Sequence, residues 1–159
     1  MKAYDLYPRF LVSVDCVIFG YQCGKLKVLI HQRPYEPCKG KLSLIGGFVQ
    51  KDESVDLAAK RILTYFTGLD NVYMQQLAAY GDVERDPGER VISIVYYALA
   101  NTEKALTTLS DINEAEWIDV DQLPKLCFDH NDMVEKARQI IGESIMTKPI
   151  GKYLMPRYF

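Results

Sequence analysis

Apolar and polar residues change their period several times along this chain, and each change marks an element. The stretch FLVSVDCVIF, residues 10–19, is apolar and rich in β-branched residues, with Ser13 and Asp15 on alternate positions. It predicts a strand with one buried face and one partly polar face. GYQCG reads as a turn, KLKVLIHQR as a second strand, and RPYEPCKGK as a loop punctuated by Pro34, Pro37 and Gly40. LSLIGGF is a short strand that ends near a glycine pair. From there the apolar spacing lengthens to three and four residues: Val55, Ala59, Ile62, Leu63 and Phe66 form one stripe. That spacing predicts a helix over Ser54 to Thr67, capped by Asp52 or Ser54 and closed by Gly68. Asp56 and Lys60 fall one turn apart, as an ion pair on its outer face would.

Two long strands are predicted in VYMQQLAAYGDVE and RVISIVYYALA, joined by a turn in RDPGE. AEWIDV is a further short strand and VDQLPKL a brief helical turn. A second amphipathic helix runs from Asn131 to about Ile145, with Met133, Val134, Ala137, Ile140 and Ile141 on one side. Mixed strands with two separated helices imply an α/β sandwich, with one helix on each face of a mixed sheet. The tail KPIGKYLMPRYF is unusually apolar for a terminus and reads as a domain boundary.

The 159 residues suffice for one domain with a sizeable core, and 48% are hydrophobic. No apolar run approaches the roughly 18 residues of a membrane span, and the N-terminus lacks a signal peptide's apolar stretch, so a cytoplasmic protein is expected. The net charge is −2 and the basic residues are scattered. A duplex-DNA binder should carry a basic stripe, so these residues are not expected to grip DNA. The four cysteines make no CxxC pair and only two histidines are present. No zinc site is expected, and the cysteines read as reduced thiols, some of them packed in the core.

The segment from Gly47 to Leu69 resembles a Nudix box. Gly47, Glu53, Arg61 and Gly68 stand at that motif's spacing, followed by aliphatic Leu69. The box's three helix glutamates are replaced by Ile62, Tyr65 and Phe66. The resemblance implies a Nudix α/β/α sandwich with a mixed sheet. It also implies that positions 62, 65 and 66 share one helical face, which in the family offers carboxylates to Mg²⁺. Ile and Phe supply no oxygen, and a phenol with a pKa of about 10 is a poor ligand for a hard cation. The expectation is a retained scaffold without catalytic residues, metal or other cofactor. Glu53 and Arg61 are then expected to pair and hold the loop to the helix, and Gly46 and Gly47 to serve close backbone packing.

The phrases GGFVQKDESVDLAAKRIL, GDVERDPGERVISIVYYAL, LPKLCFDH and PIGKYLMPRYF are similar to the sensor domain of Nudix-related transcriptional regulators. Some members sense ADP-ribose, and a Bacteroides-type branch senses L-arabinose; GGFVQKDESVD and DPGERV resemble the latter branch. This implies an effector-binding domain over residues 1–148 and a connector over 149–159. A winged helix-turn-helix module beyond Phe159 would make the DNA contact. It also implies a homodimer and a small effector, a pentose or ADP-ribose.

A sugar site needs polar groups aimed at hydroxyls and an apolar wall for the ring. Asp15 reads either as a pocket acceptor or as a solvent-facing residue. His31 and Arg33 end the second strand, where Arg33 is either a ligand contact or an exposed charge. Glu84 and Arg85, with Asp86, form either a binding cluster or a solvated loop tip. Tyr96 and Tyr97 point to opposite faces, one core and one a possible stacking wall, with Tyr96 the candidate. Asp129 is either an N-cap or, with His130, a ligand contact. Tyr65 and Phe66, facing the cleft, would make it apolar and suited to a neutral sugar.

Two other readings remain open. One is a Mg²⁺-dependent hydrolase of ADP-ribose or a similar conjugate, with carboxylates drawn from Glu53, Asp82, Glu84 or Glu116. The other is a pure interaction module that dimerises through VISIVYYALA.

Overall fold

A computed structural model describes residues 1–105 and 115–154. Its main elements are β1 (Leu11–Gln22), β2 (Lys25–Gln32), β3 (Leu42–Phe48), α1 (Val55–Thr67), β4 (Tyr73–Tyr80), β5 (Val91–Leu99), β6 (Ala115–Asp119) and α2 (His130–Thr147). The strands form one mixed sheet in the order β4-β5-β1-β3-β2-β6, in which only β1 and β5 run parallel.

Each helix covers one face, as the sandwich requires. Val14, Cys16 and Ile18 of β1 pack with Ala58, Ala59, Ile62 and Leu63 of α1. Val17 and Phe19 pack with Met133, Val134, Ala137 and Ile141 of α2. The central strand is therefore buried on both faces, which explains its nearly unbroken apolar run.

The first hairpin is longer than GYQCG implied. Only Cys23 and Gly24 form the turn, with φ of 52° and 74°, while Tyr21 and Gln22 pair with Leu26 and Lys25. Two left-handed central residues match the right-handed twist of the flanking strands. Further along, β1 and β2 separate and β3 enters between them. It pairs with β1 over Ser13–Cys16 and with β2 over Ile30–Gln32.

Helix α1 is capped as predicted by Ser54, whose hydroxyl accepts from the Leu57 N–H at 3.2 Å. Gly68, at φ 67°, ends it. The Asp56–Lys60 pair does not form; Asp56 instead accepts the Tyr96 hydroxyl. The strand predicted through Glu84 stops at Tyr80, so residues 81–90 make a loop rather than a tight turn. Within it Asp86 accepts the Gly88 N–H at 2.8 Å, an Asx turn. Strand β5 lies inside the sheet between β4 and β1. It offers no free edge to a second copy, which removes the dimerisation route read from VISIVYYALA. Ile150 and Leu154 are buried in the α2-side core, so packing continues past residue 148. Residues 155–159 of the expected connector lie outside the described residues.

The glycine pair of β3 separates into two functions. A Cβ on Gly46 would collide with the Asp15 carboxylate and come within 2.8 Å of the Val14 carbonyl. A Cβ on Gly47 would meet only the tip of Ile62, at 3.2 Å. Backbone cannot yield as a methyl group can. Gly46→Ala should therefore cost about 1–3 kcal/mol and Gly47→Ala clearly less, read from urea unfolding midpoints. Equal losses would show that Asp15 is not held against β3.

Candidate functional site

Beside the point where β3 enters the sheet lies a cavity of about 290 Å³. Asp15 reaches it from β1. The parallel register of β1 on β5 sets Ser13 beside Ser93, and the Ser93 hydroxyl donates to one oxygen of the Asp15 carboxylate. The other oxygen faces His130 Nε2 at 3.6 Å, close for electrostatics but too long for a direct hydrogen bond. Asp15 is only 8% exposed, which overturns its reading as a solvent-facing residue.

His130 is the first residue of α2 and is 2% exposed. Its Nδ1 accepts the Leu44 N–H at 3.1 Å, which leaves the ring proton on Nε2, toward Asp15. Burial lowers its pKa, against the upward pull of Asp15 and Asp129. The helix thus begins one residue before the predicted Asn131. Asp129 makes no side-chain cap. Its carboxylate instead receives Arg85 in a bidentate pair, at 3.0 and 2.8 Å. The Arg85 side chain is only 4% exposed, so it is no solvated loop tip.

His31, on β2, meets Phe66 edge-on, with ring centroids 5.2 Å apart. Its pKa is pushed down to about 4, first by burial and then by the charge of Arg33. Both histidines are therefore neutral near pH 7. Arg33 lies over the Phe128 ring at 5.0 Å and donates from Nε to the Pro37 carbonyl at 2.9 Å. Phe66 and Phe128 are the aromatic walls, with Tyr35 and Phe48 also lining the space.

Two candidates fall elsewhere. Glu84 is exposed and lines a shallow groove with Asp82 and Val83. Tyr96 is 3% exposed in the α1-side core, tied to Asp56, so it forms no stacking wall. Tyr97 is buried too, on the opposite face. Sequence reasoning missed Ser93 and Phe128 as site residues. Ser93 becomes visible only through strand register. Phe128 was available in the quoted CFDH phrase, but nothing in the sequence shows a ring stacked under Arg33.

The box residues act as braces. Glu53 receives Arg61 through two hydrogen bonds, at 2.9 and 2.6 Å, and accepts the Gln50 N–H at 2.9 Å. Arg61 also donates to the Phe48 carbonyl at 3.1 Å, clamping the end of β3 to α1. These contacts lower the Glu53 pKa, the Arg61 hydrogen bond most. Positions 62, 65 and 66 share one face of α1, as their spacing requires, with the Tyr65 and Phe66 rings 5.2 Å apart, but they differ in burial. Ile62 is buried beneath Gly47, Tyr65 is 57% exposed, and only Phe66 reaches the cavity. Magnesium requires a nearly octahedral set of oxygens. An isoleucine, a phenylalanine, an outward phenol and a glutamate committed to arginine do not make one. Among the described residues no group of three or more His, Cys, Asp or Glu side chains is placed to hold a metal.

The neutral histidines carry a pH consequence. As pH falls from about 6.5 toward about 4, the unfolded chain takes up the proton that folded His31 refuses. The contribution is fully present above that window and lost on descending through it. His31→Gln should lose less Tm than the parent between about pH 7 and about pH 5, by thermal denaturation at matched ionic strength. Parallel curves would refute the neutral buried ring.

The NUDIX domain model matches residues 9–139. The chain is 32% identical over 157 residues to the "ADPR responsive transcriptional repressor NtrR" of Acinetobacter baylyi, covering 96% of this chain and 63% of that protein. It therefore spans less than two thirds of that relative. It is 37% identical over 135 residues to an ADP-ribose pyrophosphatase of Methanocaldococcus jannaschii, covering 85% of this chain and 77% of that one. Crystalline Shewanella oneidensis NrtR superposes with a TM-score of 0.87 at 28% identity, covering 94% of this chain and 72% of that one. The curated relatives are named for ADP-ribose, and neither carries the arabinose of the closer resemblance. With a matching model over most of its length and this strand order, the chain belongs to the NUDIX family.

Proposed function

We propose that this NUDIX domain is the effector-sensing part of a transcriptional regulator and that its cavity takes a neutral sugar of pentose size. The regulator reading is supported by the Acinetobacter repressor and the Shewanella NrtR fold. On this reading DNA contact belongs to a module outside these residues, in a homodimer working in the cytoplasm.

The observation that carries the sugar reading is the shortage of unpaired positive charge around the cavity. Arg33 and Arg85 line it, and so do Asp15 and Asp86. Arg85 is already neutralised by Asp129, and both histidines are uncharged near neutral pH. With Arg85 set aside, Arg33 faces Asp15 and Asp86, and a diphosphate would add about two negative charges to this partly desolvated space, with no metal site among the described residues to offset them. A sugar's hydroxyls would instead meet the Asp15 carboxylate and the His130 Nε2–H, with Phe66 and Phe128 as apolar walls. The volume lies at the bottom of the roughly 300–1,000 Å³ range of small-molecule pockets. A ligand there touches Arg85 on the 81–90 loop and His130 at the start of α2. It biases their arrangement by whatever difference in affinity it has for the two states.

The second reading, ADP-ribose as effector or substrate, is favoured by the names of both curated relatives. Calorimetry against L-arabinose, other pentoses and ADP-ribose separates the two. A saturable pentose heat is expected, weakened about 10- to 100-fold by Asp15→Asn, which removes a charged acceptor. Tight ADP-ribose binding without pentose heat would overturn the sugar. Mg²⁺-dependent release of AMP, abolished by Glu53→Gln, would restore the hydrolase. Silence toward every ligand would count against sensing itself.

A further inference from the structure

Two of the four cysteines meet beside the cavity, and nothing above has used them. Cys38 sits in the 33–41 loop with φ of 67°, its carbonyl accepting the Lys41 N–H at 3.0 Å. Cys127 lies in the segment that enters α2, and its own N–H donates to the Leu42 carbonyl at 2.9 Å. The two backbones are therefore stitched together next to the cysteines, and the two thiols lie close enough to interact. Cys38 is partly exposed and Cys127 is buried.

The surroundings make this pair more than core filling. Arg33, at the root of the loop, stacks on Phe128, the residue after Cys127. Arg33, Pro34 and Tyr35 from the loop and Phe128 from the segment all line the cavity. A covalent link between residues 38 and 127 would lock one cavity wall to the other. The remaining cysteines are not so placed: Cys16 is buried in the α1-side core, and Cys23 is exposed at the hairpin turn.

We propose that Cys38 and Cys127 form a reversible disulfide under hydroperoxide stress, clipping the 33–41 loop to the segment that carries Phe128. Cys38, the accessible thiol, attacks the hydroperoxide. An S–O bond forms, the O–O bond breaks, and the alcohol or water leaves, so Cys38 becomes a sulfenic acid. The Cys127 sulfur then attacks it. The S–S bond forms, the S–O bond breaks, and the hydroxyl leaves as water with the Cys127 proton. Two thiols are oxidised and one hydroperoxide is reduced. The order of events follows from access: Cys38 is partly exposed, whereas Cys127 is buried, which pushes its thiol up to about 11. It is a poor first nucleophile, with the charges of Arg33 and Lys41 pulling the other way.

The link is independent of any effector, so its test does not rest on the sugar reading. The full chain is treated with hydrogen peroxide and mapped as peptides without reduction, beside Cys38→Ser and Cys127→Ala variants. The expected result is a Cys38–Cys127 peptide that dithiothreitol removes and either variant lacks. Closing so long a loop should raise Tm by roughly 5–15 °C and slow amide exchange across 33–41. Cys38 carried on to sulfinic acid, or linked to Cys23, would overturn the proposal, as would a link that leaves exchange in the loop unchanged. If the clip forms but no sugar binds in either redox state, the sugar reading fails and the clip stands.

Discussion

The site is organised by one hydrogen bond between layers: the Leu44 N–H of β3 to Nδ1 of His130 at the start of α2. The pairing of β3 with β1 ends at Ile45, and His130 takes the next amide toward the beginning of the strand. A buried amide left without a partner would cost about 1–3 kcal/mol, so the imidazole is fixed in position and tautomer. Its other nitrogen then points at Asp15, whose carboxylate is held by Ser93 and has room only because residue 46 has no side chain. The helix, three strands and the cavity floor share this contact.

From that floor the electrostatics follow. Each charged group that lines the cavity is already engaged: Arg85 with Asp129, Arg33 with Phe128, Asp15 with Ser93 and His130 nearby, and Asp86 with the Gly88 N–H. Outside it, Glu53 and Arg61 clamp the end of β3 to α1. The cavity of this NUDIX domain thus combines buried polar groups with the apolar rings of Phe66 and Phe128. Ile62 packs directly under Gly47, where an added Cβ would stand 3.2 Å from its tip.

The 33–41 loop, the 81–90 loop and the entry to α2 form the walls, and each is held by contacts distant in sequence. Arg85 reaches Asp129, Arg33 reaches Phe128, and Cys38 reaches Cys127. The same short segment, residues 127–130, serves all three.

What the sequence determined by itself was local. The period of its apolar residues marked both helices, Ser54 and Gly68 marked the ends of α1, and the spacing of Gly47, Glu53, Arg61 and Gly68 carried the family. These signals lie within a turn or two of the residues they govern. Tertiary structure alone decided which polar residues meet. Asp15 could be read as solvent-facing until β5 placed Ser93 beside it. Tyr96 could be read as a wall until Asp56 claimed its hydroxyl from beneath α1, and Asp129 as a cap until Arg85 arrived from the 81–90 loop. Periodicity sets the direction of a side chain relative to its own element, but strand register and layer packing set what stands opposite. Those are fixed by the burial of the whole core, which no short stretch of the chain encodes.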